Sequence, residues 1–89
     1  MKSIITVVGK DKVGIIYNVC KYLSEENINV LDISQTIVND YFNMLMIVDT
    51  QASSNSFEVI NDNIQSIAKD LGVVITMQRE DIFVSMHRL

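Results

Sequence analysis

The sequence predicts an α+β sandwich in βαββαβ order, with two helices on one face of a four-stranded antiparallel sheet. Three observations predict it: an opening run dense in Ile, Val and Thr, two segments whose apolar residues recur at intervals of three and four, and two extended segments joined by Asn39-Asp40.

The opening run, residues 3–8, is apolar on both faces and stops at Gly9, which predicts a central strand. In residues 15–26, Ile16, Val19, Cys20 and Leu23 form one stripe, with Lys21, Glu25 and Glu26 left for solvent, so a first helix is expected. Residues 29–38 alternate, setting Leu31, Ile33 and Ile37 on one face and Asp32, Ser34 and Thr36 on the other, as an edge strand does. After the Asn39-Asp40 turn, residues 42–48 place Phe42, Met44 and Met46 on one face and Leu45 and Ile47 on the other. That pattern predicts a third strand buried on both sides.

Past the polar stretch 51–56, Phe57, Ile60, Ile64, Ile67 and Leu71 make a second helical stripe, closed by Gly72 at the C-cap. Residues 73–77 read as the last strand. Residues 81–89, with Ile82, Phe83, Met86 and Leu89 at helical spacing, predict a short C-terminal helix. Two right-handed βαβ crossovers then give strand order 4-1-3-2, the ferredoxin-like arrangement. Both helices cover one face of the sheet, so the other face needs self-association or the C-terminal tail to cover it, and a homodimer is expected.

At 89 residues the chain reads as one domain, 1–89, burying roughly 60–65% of its unfolded surface. No apolar run nears the roughly 20 residues that span a bilayer, and the N-terminal stretch is too short and too β-like for a signal peptide. A cytoplasmic protein without a membrane partner is expected. The single cysteine, Cys20, excludes an intramolecular disulfide framework. The net charge of −4, with seven dispersed Lys and Arg, argues against a nucleic-acid partner.

The stretch Gly9-Lys10-Asp11-Lys12-Val13-Gly14-Ile15 joins the first strand to the first helix, where backbone N–H groups and the helix dipole favour an anion. Gly14 would let a ligand lie against the first helical turn and Asp11 would meet an ammonium group, a pairing that suits a zwitterion. The same residues also suit an ordinary turn with Asp11 as N-cap.

This loop resembles the glycine-containing loop that opens ACT domains. The segments Asn29-Val30-Leu31-Asp32-Ile33-Ser34-Gln35 and Phe42-Asn43-Met44 are similar to the second and third strands of ACT segments in formyltetrahydrofolate deformylases and glycine-cleavage regulatory proteins. The resemblance covers nearly the whole chain. It departs at Val13, where the family often has proline, which would pre-set the first helical turn. What it implies is a regulatory module that binds a small molecule, an amino acid above all, near this loop at an interface between paired domains. The residues implied are Asp11, Val13 and Gly14, with Asn29, Asp32 and Gln35 on the second strand. Asp32 and Gln35 equally suit a solvated strand face.

Catalysis is not expected. An acylphosphatase of this topology would need an arginine in the first loop, whereas Arg79 and Arg88 lie near the C-terminus. A metal chaperone would carry paired cysteines there, and an RNA-binding module would show aromatic and basic residues on the open sheet face. Cys20 reads as a small core residue and His87 has no ligand partner at metal spacing, so no metal site or cofactor is expected. The competing reading is a dimeric protein-interaction module without a small ligand, acting on a partner enzyme or transcription factor.

Overall fold

The structure, a computed structural model, describes residues 2–10 and 13–82. The elements are β1 (Lys2–Lys10), α1 (Val13–Glu25), β2 (Asn29–Val38), β3 (Tyr41–Asp49), α2 (Phe57–Leu71) and β4 (Val74–Arg79). The strands form one antiparallel sheet in the order β2-β3-β1-β4, the expected arrangement read from its other edge. Residues 80–82 are helical, and the remainder of the expected C-terminal helix, 83–89, lies outside the described residues.

Both helices lie on the same face. Ile15, Val19 and Leu23 of α1 and Ile60, Ile64 and Ala68 of α2 pack against Ile5, Val7, Met44, Met46, Ile75 and Met77 of the sheet. Cys20 is half-buried against this core. The α1 stripe is turned by about one residue from the expected one, because Ile15 is buried while Ile16 is only half-buried.

The ends of the elements follow from local chemistry. Asn39 and Asp40 both take positive φ (50° and 69°), the conformation of a two-residue hairpin turn that Asn and Asp tolerate well. Ser56 caps α2, its hydroxyl accepting the Val59 N–H at 3.3 Å, and Gly72 closes the helix in the left-handed region. Asn27 (φ 58°) ends α1, and the Ile28 N–H reaches the Leu23 carbonyl at 2.9 Å. Glu26 then ties this corner to the β3–α2 loop, because its Oε1 accepts bonds from Asn55 Nδ2 and Ser53 Oγ.

One expectation is corrected. β3 is not buried on both sides: Phe42, Met44, Met46 and Val48 are buried beneath the helices, whereas Asn43, Leu45 and Ile47 on the other face are only half-buried. On β1 the same face carries Val8, 40% exposed, and half-buried Thr6, although Ile4 is buried there. One layer of helices shields one face, and alternation along each strand sends the odd residue out to the other.

Candidate functional site

Lys10 ends β1 and Val13 opens α1, so Gly14 stands in the first helical turn, at the end of the sheet where Lys10, Tyr41 and Val38 are neighbours. Its carbonyl accepts a 2.7 Å bond from Asn18 Nδ2. A Cβ added to Gly14 would meet Asn18 Nδ2 at 3.3 Å and no other neighbour within 4 Å. Gly9 differs. A Cβ there would drive into the Val73 side chain, whose own Cβ lies 3.0 Å away, so Gly9 is needed for close approach between β1 and the strand-leading residue Val73. Asp11 lies outside the described residues. Asn18 was not singled out by sequence, although its place four residues after Gly14 puts both on one helical face.

The three second-strand candidates lie progressively further away. Gln35 pairs with Met44 in mid-strand and faces the helix side; Asp32 pairs with Ile47; Asn29 pairs with Asp49 at the far end. Counting strand residues back from Lys10, Asp32 is about 20 Å and Asn29 about 26 Å from the Gly14 end of the sheet. A single chain therefore does not bring Asp32 or Asn29 to Gly14. Asn29 instead borders a hollow of 470 Å³ with Ser24, Asn27 and Ala52. Asp32 Oδ1 accepts the Ile33 N–H at 2.9 Å, just after a bulge between Val30 and Asp32 that takes Leu31 out of register.

All ten residues of β2 are exposed. The helix layer stops short of this strand, so Ile33 and Ile37, which share the face of Met46 and Phe42, remain 39% and 64% exposed. Tyr17 on α1 is 64% exposed as well, with Lys21 Nζ 6.0 Å from its ring centre. The segment after the bulge, residues 33–38, carries no charge.

On the helix-free face a second hollow, of 300 Å³, is bordered by Thr6, Val8, Ser34, Thr36, Asn43 and Leu45. Thr6 shares a hydroxyl–hydroxyl hydrogen bond with Thr76. The shifted titrations lie elsewhere. The Asp49 carboxyl is held below its ordinary value chiefly by the Gln51 N–H, and that of Asp81 by its hydrogen bond to Arg79 at 2.8 Å. Burial pushes the Tyr22 phenol up, in part offset by the bond it accepts from Asn63 Nδ2 at 3.0 Å. Among the described residues no cluster of His, Cys, Asp or Glu could hold a metal, and no helix is long and apolar enough to cross a membrane.

The strand order is that of a known family, whose model, the ACT domain, matches residues 3–78. The chain belongs to the ACT domain family. It is 56% identical over 88 residues to a UPF0237 protein of Bifidobacterium longum, covering 99% of this chain and 98% of that one. Among solved structures, an ACT domain protein from Streptococcus pneumoniae superposes with a TM-score of 0.82 at 38% identity, covering 93% of each chain. A formyltetrahydrofolate deformylase from Pseudomonas syringae pv. tomato shares the fold over 88% of this chain and 27% of its own (TM-score 0.80, 17% identity). A structure described as a glycine cleavage system transcriptional repressor shares it over 86% of this chain and 44% of its own (TM-score 0.72, 19% identity). ACT domains are regulatory modules, and the relatives at high identity are small proteins of this chain's own length.

Proposed function

We propose that this ACT domain is a non-catalytic cytoplasmic sensor of an amino acid, and that its ligand lodges between the glycine-bearing turn of one protomer and β2 of a twofold partner. The observation that carries the reading is the exposure of β2 along its whole length, in a chain whose α1 opens on Gly14, so that the first helical turn presents backbone with no side chain at that position. Exposed apolar residues on an unpaired edge strand call for a cover, and a second copy is the commonest one.

Antiparallel pairing of β2 with its counterpart, centred on Gln35, would set Asp32 of each protomer opposite Val38 of the other. That is the Gly14 end of the sheet, so the separation of about 20 Å within one chain would be removed. The ligand's carboxylate would then face the N–H groups of the first α1 turn where Val13 and Gly14 stand, and its ammonium group Asp11, with Gln35 on the helix side at the centre of the pairing; Asn29 would lie further along the interface, and Asp32, beside Ile47, on the opposite face of the sheet.

Thermal melting against all twenty amino acids tests this. A ligand at a hundred times its Kd adds about 2.7 kcal/mol of stability, and that shift should be lost in Gly14→Val, whose side chain occupies the space beside the turn. A dimer that melts identically with every amino acid would favour the interaction module instead, because pairing alone also explains the apolar exposure of β2.

A further inference from the structure

We propose that the ligand's own side chain is aliphatic, and that it lodges in a trough walled by Ile16 of α1 and floored by Ile37 with the partner's Ile33. The inference rests on the pairing and the ligand position proposed above, and names the class of amino acid that they admit.

Ile16, Cys20 and Ser24 follow one another at intervals of four along one flank of α1. That flank looks toward β2: Ser24 borders the 470 Å³ hollow with Asn29, which opens β2, whereas Tyr22, on the other flank, meets Asn63 of α2. Ile16 and Cys20 are half-buried, so each shows part of its surface beyond the core. At the end of the sheet where α1 starts, Ile37 lies in one row with Phe42 and Gly9 and is 64% exposed on the helix side. Pairing of β2 about Gln35 would set Ile37 of each protomer opposite the partner's Ile33, and Gln35 opposite its own counterpart. The floor left open by the helix layer then spans two strands, about 10 Å, which is room for an amino-acid side chain beside Ile16.

No side chain of this trough carries a charge. Lys21 is turned to solvent with Tyr17, Glu26 is engaged by Asn55 and Ser53, and Asp32 stands on the opposite face of the sheet. The paired Gln35 amides would bond to each other. A charged side chain entering here would give up its water without gaining a partner, whereas an aliphatic one gains by leaving water. Each buried methylene is worth about fourfold in affinity, so leucine should bind on the order of fifty-fold tighter than alanine.

Isothermal titration calorimetry on the purified full chain tests this, with leucine, isoleucine, valine, alanine, aspartate and lysine as probes. The expected order is leucine and isoleucine above valine and valine above alanine, with no binding of aspartate or lysine. Ile37→Thr, an exposed β-branched exchange, and Ile16→Ala, its fold checked by circular dichroism, should each weaken leucine about tenfold or more and alanine far less. Alanine, aspartate or lysine binding as tightly as leucine overturns the aliphatic class and leaves the sensor reading standing. Leucine binding that neither variant weakens, or that falls in step with alanine, rejects Ile16 and Ile37 as wall and floor. Heat from none of the six overturns this inference, and the melt against all twenty amino acids then shows separately whether the sensor reading falls too.

Discussion

Gln65 of α2 donates a 2.8 Å hydrogen bond from Nε2 to the carbonyl of Ile75 on β4. The two edges of the sheet are therefore unequal: β4 has a helix side chain laid along it, while β2 is exposed throughout. Unpaired edges invite further strands, and covering is one common protection against that. The asymmetry leaves β2 as the edge open to a partner.

Gln65→Leu should cost about 1 kcal/mol of stability, the net worth of one such bond, read as a lower urea midpoint with unchanged slope. A midpoint equal to that of the parent would mean that water replaces the side chain without loss.

Gly9→Ala should destabilise by about 1–3 kcal/mol, because the added methyl meets Val73. Val73→Ala in the same chain should recover most of that loss. A double-mutant cycle without coupling would contradict the contact.

The order of the elements was legible in the sequence because each carries its period plainly: the α2 stripe from Phe57 to Leu71, and Gly72 at its C-cap with φ 70°. Less legible was the second face of the sheet. Leu45 and Ile47 are apolar whether or not anything covers them, and alternation alone does not say how far a helix layer reaches. The bulge at Leu31 was invisible for a similar reason, since either register of that strand offers alternating residues. The candidate site was legible as residue types and not as distances: nothing in the sequence says that Gly14 and Asp32 lie toward opposite ends of one sheet.

Ser3 is fully buried between β-strand neighbours, and its Oγ has no hydrogen-bond partner. Ser3→Ala should therefore be neutral or raise stability by up to about 1 kcal/mol in urea unfolding, since an unmet hydroxyl is removed. A loss above about 1 kcal/mol would show that the hydroxyl is satisfied in solution.

Tyr22 supplies a pH prediction. Its phenol is shifted upward from 10.0 in the folded chain, chiefly by burial, so the unfolded chain gives up this proton first as pH rises. The contribution to stability is complete below the unfolded value and is lost as pH climbs past it toward the folded one. Alkaline unfolding of Tyr22→Phe should therefore fall less steeply above pH 10.0 than that of the parent. Equal slopes would contradict the shift.

Amide hydrogen exchange along β2 tests the pairing most directly. Alternate N–H groups within residues 33–38 should be protected at micromolar concentration and exposed on dilution or in Ile37→Lys, while β1 and β3 stay protected throughout. Fast exchange along the β2 edge at every concentration would mean that no second copy lies there, and the composite ligand site would fall with it.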